Sequence, residues 1–257
     1  MPGGIAMKNI LTRITLTALV ALIFNVNSFA ATPIQPGWPI PVHDDVIYTK
    51  LYIDRLEYAR SDENGMNMDA MLRIGGDYNR LVLKAEGEHT FNDAGVMSVD
   101  MVYSRIVSPY WDVQAGLAMD AVMHQQSDNK QRYSAVVGLM GLAPYWFETD
   151  FSLYVSEQGD VSGVLELEYE WLFSQRLILQ ARGETMAAMQ SVADWGVYGG
   201  FNQLDAGLRL RYEIKREFAP YVGIEYGRAL GNAARAKQDA SLEPGEISFL
   251  AGVRMWF

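Results

Sequence analysis

The sequence predicts an all-β fold: an antiparallel transmembrane β-barrel of the outer membrane, with about twelve strands and both termini on the periplasmic side. Three observations carry that expectation. Apolar residues recur with a period of two far more often than at the i, i+3, i+4 spacing of a helix. Short and long polar connections take turns along the chain, as they do between the two rims of a membrane barrel. Aromatic residues collect beside the short connections, where amphipathic rings meet lipid headgroups.

In chain order, the first segment reads as a leader. Starting at Met7, Lys8 and Arg13 form a positive region, Ile14 to Phe24 an apolar run, and Ser28-Phe29-Ala30 a small-residue cleavage pattern. Residues 1–30 are therefore expected to be a removable signal peptide and 31–45 a short periplasmic segment, with the barrel occupying 46–257. The apolar run is shorter than the ~18 residues a membrane-spanning helix needs. A later uncharged stretch, Ala135 to Phe147, also falls short and is broken by Pro144.

Strands are expected at 46–59, 66–76, 80–90, 96–107, 110–123, 132–142, 145–156, 161–172, 176–189, 201–215, 218–229 and 246–257. Each is long enough to cross at a tilt, which takes ~9–11 residues. The clearest dyad is Leu204, Ala206, Leu208, Leu210, Tyr212 and Ile214 against Asp205, Gly207, Arg209, Arg211 and Glu213. Leu165, Leu167, Tyr169 and Trp171 likewise alternate with Glu166, Glu168 and Glu170. In the first strand the apolar positions slip phase near Arg55, which calls for a bulge or a segment folded inside the lumen.

Short turns fall at 76–79, 108–109, 143–144, 174–175 and 216–217, and longer polar connections at 60–65, 91–95, 125–130, 157–160, 190–200 and 231–245. Beside the short turns stand Tyr78, Tyr110 with Trp111, Tyr145 with Trp146 and Phe147, Trp171 with Phe173, Phe218 with Tyr221, and Trp256 with Phe257. A soluble sandwich shares the alternation with its apolar faces inward, but it does not select one end for its aromatics.

The 257 residues include 21 Lys+Arg, 31 Asp+Glu and no Cys; the net charge of −10 becomes −12 once Lys8 and Arg13 leave with the leader. Such an acidic chain excludes nucleic acid as a partner, and the absence of Cys excludes disulfides and thiolate metal sites. By parity the lumen receives Glu86, Glu88, Asp100, Asp112, Asp120, Glu148, Asp150, Glu166, Glu168, Glu170, Glu184, Asp205, Glu213 and Glu225. Against them stand Arg73, Lys84, Arg182, Arg209, Arg211 and Arg254. Carboxylate rings favour cation passage, while the same charges can fill the interior as a salt-bridged plug; both readings stay open at this point. No catalytic residue is expected, because His89 and His124, the histidines on strands or rims, lie in no recognisable nucleophile or acid–base motif.

Several blocks closely resemble the copper resistance protein B family of Gram-negative outer membranes. They are Trp38-Pro39 followed by Pro41-Val42-His43-Asp44-Asp45, IDRLEYAR at 53–60, IGGDYNRLVLKAEGE at 74–88, YSRIVSPYWDVQAGL at 103–117, GLAPYWFETD at 141–150, RLILQ at 176–180, LRLRYEIKREFAPYVGIEY at 208–226 and AGVRMWF at 251–257. The resemblance implies an outer-membrane barrel for copper tolerance that binds copper or lets it cross. As partners it implies copper ions, outer-membrane lipid, and a periplasmic copper-resistance multicopper oxidase or copper carrier. Many members carry a long Met- and His-rich segment before the Trp-Pro motif, whereas here only residues 31–37 intervene. That shifts weight from a copper-storing tail to the barrel itself.

Cu(I) favours thioether and imidazole donors, of which the chain has 13 Met and 3 His. Met66, Met68 and Met71 bracket the first long connection; Met68 and Met71 fall on opposite faces of a regular strand, so only a bent loop joins all three. Met119, Met123 and His124 lie toward the mouth of the fifth strand, Met186 and Met189 toward that of the ninth, and these positions are expected to form a soft-ligand rim. Met97, Met101, Met140 and Met255 are read as fillers of irregular apolar surface. His43, beside Asp44 and Asp45, is a Cu(II) candidate, although the two carboxylates also suit pairing with lumen cations. His89, out of phase with Glu86 and Glu88, is expected in water at the outer rim.

Overall fold

A computed structural model of the protein describes residues 46–61, 64–91, 94–124 and 129–257. The expected signal peptide (1–30), the periplasmic segment (31–45) and His43 lie outside the described residues.

Twelve antiparallel strands close into a barrel: β1 (Tyr48–Arg60), β2 (Gly65–Gly75), β3 (Asn79–Thr90), β4 (Ala94–Ser108), β5 (Trp111–His124), β6 (Lys130–Ala143), β7 (Phe147–Ser156), β8 (Val161–Leu172), β9 (Leu177–Ala188), β10 (Gly200–Tyr212), β11 (Phe218–Ala229) and β12 (Gly245–Trp256). Every strand pairs with its sequence neighbours, and β12 returns to β1. Closure removes the free sheet edge, whose backbone groups a bilayer cannot satisfy. Leu51 and Phe257 exchange backbone hydrogen bonds of 3.0 and 2.8 Å, so β1 begins and β12 ends at the rim that carries the short connections. Among the described residues no helix is long and apolar enough to cross a membrane.

Alternation then sorts the side chains. Leu117, Val137, Val222 and Phe249 stand exposed on the outer face, as lipid-facing residues of a membrane barrel do. Their strand neighbours point inward, and many reach strands other than their own neighbours.

The slip in β1 is a bulge in a paired strand. Register shifts between Ile53 and Arg55 against β2, and between Ile53 and Leu56 against β12. Two successive residues thereby gain interior partners: Asp54 accepts from Arg254 at 2.9 Å, and Arg55 donates to Asp69 at 3.0 Å. A bulge re-aims side chains in this way.

At the short-turn rim, Tyr78, Tyr110, Tyr145, Trp146, Trp171, Phe173, Phe218 and Phe257 are exposed rings around the barrel. Tyr145 and Trp146 take left-handed backbone conformations (φ 67° and 68°). Each costs about 1–2 kcal/mol for a residue with a Cβ, and the turn leaves both rings fully presented to the interface. Tyr221 departs from the expected girdle: strand parity turns it inward, where it is 6% exposed and donates to Glu57 at 2.9 Å.

The longest connection also differs from a plain polar loop. Residues Gly231–Asp239 form a helix, α1, as the good helix formers of its Ala-Ala-Arg-Ala-Lys run allow. It packs chiefly on β10, burying Ala233. Its entry is pinned by Leu230 N–H to the Asn202 carbonyl (2.8 Å) and by the Asn232 amide to the Gly199 carbonyl (3.1 Å).

Candidate functional site

The interior holds the polar chemistry, and it is built as a lattice of charges. Arg209 on β10 grips Glu57 on β1 with both prongs, at 3.0 and 2.9 Å, and reaches Glu225 on β11 at 2.8 Å. Glu57 also accepts from Tyr221 at 2.9 Å and from the Asn67 amide at 3.3 Å. The side chains of Glu57 and Arg209 are 0% and 2% exposed. Such a pair survives burial only because its geometry is bidentate and its remaining oxygens are occupied. The slot for it is made by glycine: a Cβ on Gly252 would stand 2.7 Å from the Glu57 Cβ and from the Tyr221 hydroxyl, and one on Gly223 would stand 2.7 Å from the Leu208 carbonyl.

Beside that pair, Arg182 on β9 holds Glu166 on β8 through two bonds of 2.9 and 2.7 Å, donates to Glu184, and lies 3.7 Å from Glu168. Glu168 accepts from Gln180 at 2.9 Å. Arg211 meets Glu170 at 2.8 Å and Glu213 at 3.8 Å; Arg254 joins Glu170 at 3.4 Å.

The opposite wall is different. Val82, Val102, Ala118 and Val136, from β3 to β6, form a buried apolar cluster inside the barrel, with Met71 and Tyr154 packed against it. Polar ties cross the lumen around it: Lys84 on β3 pairs with Asp150 on β7, and Tyr154 on β7 donates to Asp100 on β4 at 2.9 Å. Arg80 meets Asp112 at 3.1 Å. Because β3 and β7 are four strands apart, a single lysine side chain bridges much of the lumen at this level.

Toward the rim of long connections the interior loosens. Glu86 and Glu88 face the lumen yet are exposed, and neither forms an ion pair among the described residues. Asp205, five residues into β10, accepts from the Gln203 side-chain amide at 2.6 Å and has no ion pair among the described residues. The 189–199 connection leans across this mouth toward β6. Lys130 donates to the Asp194 carbonyl at 3.0 Å, and the Arg132 guanidinium lies 4.7 Å from the Trp195 ring centre while holding Asp120 at 2.9 Å.

The soft donors are divided between the faces. Met66 and Met68 alternate with the inward Asn67 and Asp69 and project outward, whereas Met71 projects inward, so the regular pairing of β2 with β3 does not bring the three together. Met119 and Met123 share the outward face of Leu117, Met123 being exposed. Met186 follows Arg182 and Glu184 on the inward face of β9, and Met189 lies exposed just beyond that strand. His124 is the last residue of β5, paired with Ala94. His89 stacks edge-on against Phe91 at the rim. These positions do not converge on a shared point; among the described residues no cluster of three His, Cys, Asp or Glu is arranged to hold a metal.

Met140 is the departure from the expected surface filler. It points into the lumen, its sulfur 3.4 Å from Arg73 Nη2 and 3.6 Å from the Gln114 amide. Met71 accepts from Arg73 Nε at 3.0 Å. Sequence parity also missed Asp54, Arg55, Glu57, Asp69, Arg80 and Arg132 as interior charges. For Asp69 the alternation Asn67, Asp69, Met71, Arg73 was available as a signal; for Asp54 and Arg55 a bulge hides it.

The family model described as "Copper resistance protein B precursor (CopB)" matches residues 47–257. The chain is 35% identical to Copper resistance protein B of Escherichia coli over 217 residues, which is 84% of this chain and 72% of that one. It is 31% identical, over the same shares of each chain, to a Copper resistance protein B homolog of Pseudomonas syringae pv. tomato. Among solved structures, the KdgM porin matches with a TM-score of 0.50 at 11% identity, covering 81% of this chain and 98% of that one, a likeness of fold.

Proposed function

Because the chain belongs to the copper resistance protein B family and is an outer-membrane β-barrel, we propose that it serves copper tolerance by admitting copper ions to its interior from the mouth ringed by the long connections. The observation that carries this reading is the unneutralised acid at that mouth. Among the described residues Glu86, Glu88 and Asp205 form no ion pair, whereas Glu57, Glu166 and Glu170 on the facing wall are matched to arginine. Uncompensated carboxylates lining a cavity concentrate cations and raise their entry rate. Inside, Met71, Met140 and Met186 supply thioethers, the donors Cu(I) prefers. The soft residues on the outer face, Met66, Met68, Met119 and Met123, are lipid-facing in this reading. A periplasmic oxidase or copper carrier is the expected receiver.

The lattice around Arg182 and Arg209 favours a second reading, a barrel that binds copper at its mouth and conducts nothing, since those arginines are nearly without water. Proteoliposomes loaded with a copper chelator separate the two. The conducting reading expects uptake above empty vesicles and a loss of about tenfold in the Glu86→Gln/Glu88→Gln/Asp205→Asn variant at low salt, narrowing as ionic strength rises. Uptake at the level of empty vesicles, with copper still bound by the purified barrel, selects the closed reading. Uptake indifferent to the triple change contradicts the acidic entry.

A further inference from the structure

Interior bases in this barrel take carboxylate partners. Arg55 has Asp69, Arg80 has Asp112, Lys84 has Asp150, Arg132 has Asp120, Arg182 has Glu166, Arg209 has Glu57, and Arg211 and Arg254 share Glu170. Arg73 departs from that pattern. Among the described residues its partners are two thioethers and a ring: Nε donates to Met71 at 3.0 Å, Nη2 reaches Met140 at 3.4 Å, and its guanidinium carbon lies 5.5 Å from the centre of the Tyr52 ring. Met71 is two residues from Arg73 on β2, and Met140 reaches the same edge of the planar cation from β6, four strands away. The buried Gln114 amide, 1% exposed, also donates to the Met140 sulfur at 3.6 Å.

Thioether sulfur is a weak acceptor and a poor partner for a guanidinium that has carboxylates within the same barrel. It is a good ligand for a soft monovalent ion. We infer that Met71 and Met140 form a binding site for Cu(I), and that Arg73 is a tethered cation holding the site until the ion displaces it. The displaced guanidinium stays on its tether: Arg73 stands two residues from the end of β2 at the rim of short connections, so it turns toward that rim as the ion enters, and the two positive charges do not share one low-dielectric site. The Tyr52 face serves either cation. Met140 is flanked in register by Asp112 on β5 and Asp150 on β7, which are paired with Arg80 and Lys84 and so leave the arginine without a carboxylate of its own. The inference rests on the proposed entry of copper to the lumen and names the soft-ion site within it.

The test is Cu(I) binding by the purified, detergent-folded barrel, read by competition with a chromophoric Cu(I) chelator under reducing conditions, with Ag(I) as a redox-inert second probe. The wild type is expected to take up an ion that Met71→Leu/Met140→Leu loses, whereas Met66→Leu/Met68→Leu, on the outer face, retains it. Leu conserves volume at a Met site, and retention of the heat-modifiable folded band on gels checks the fold. Arg73→Gln supplies the discriminating arm. If the guanidinium occupies the site, its removal tightens apparent Cu(I) affinity by about tenfold or more, since affinity is reduced by the fraction of molecules in which the site is free. Unchanged binding in the double Leu variant, weaker or unchanged binding in Arg73→Gln, or no Cu(I) bound by the wild type overturns the site. Vesicle uptake measured on the same variants keeps the two proposals apart: uptake that persists beside an overturned site leaves entry through the acidic mouth standing.

Discussion

The two inner walls of the barrel solve the same packing problem in opposite ways. From β8 round to β1 the interior is held by arginine–carboxylate pairs, with Arg209 and Glu57 at 2% and 0% exposure. From β3 to β6 the ion pairs Arg80–Asp112 and Arg132–Asp120 stand apart from an aliphatic patch of Val82, Val102, Ala118 and Val136, with Met71 packed against it. The contrast teaches that a lumen of this size has no need of a uniform lining. A charged wall must be matched group by group, because an unpartnered ion there is costly, whereas an aliphatic wall tolerates small losses and leaves room for a soft-ligand pocket.

That contrast breaks most visibly at Arg209. Arg209→Ala leaves Glu57 enclosed without its cation, and is expected to lower stability by about 3–5 kcal/mol, measured by urea unfolding in lipid vesicles. Coupling it with Glu57, as Glu57→Leu/Arg209→Met, is expected to recover most of that loss. A double variant as unstable as the single one would mean that the pair holds the walls together by more than charge neutrality. Next in size, Val136→Ala in the aliphatic wall should cost about 2 kcal/mol by lost burial and the cavity left behind. A cost as large as that of Arg209→Ala would erase the distinction between the walls. Smallest is Met68→Leu on the outer face, expected within about 0.5 kcal/mol of the wild type and without effect on copper uptake.

How far the sequence reveals these walls depends on which of them is asked about. Strands such as β8 and β10, with Glu166, Glu168 and Glu170 or Arg209 and Arg211 on one face, declare their inner side because charge is incompatible with lipid. The strand bounds follow from the same alternation and from the turns, and β8 and β11 match their expected limits. β6 is marked only at its start, by Arg132 and Ser134 in phase with Val136 and Met140; beyond them, in AVVGLMGLA, both faces are apolar, so the inner face is told from Val137 and Leu139 only by carrying that phase along the strand. Tyr221 misleads for another reason: an aromatic beside a short turn suits the interface, yet its parity with Glu225 on β11 puts it on the inner face, where it meets Glu57. The β1 bulge shows as lost phase in the sequence, but which two residues it sends into the lumen is decided by pairing with β2 and β12. The thioether pair is the least visible of all, because Met71 and Met140 meet only once the barrel is closed.

The central claim is that copper is handled inside the barrel and not on its rim or outer face. Anomalous diffraction at the copper edge, from crystals grown with copper under reducing conditions, tests it most directly. The account predicts a peak in the lumen between β2 and β6, at the sulfurs of Met71 and Met140, with Arg73 turned away. Copper found only outside the lumen, at Met66, Met68 or Met123, would contradict it.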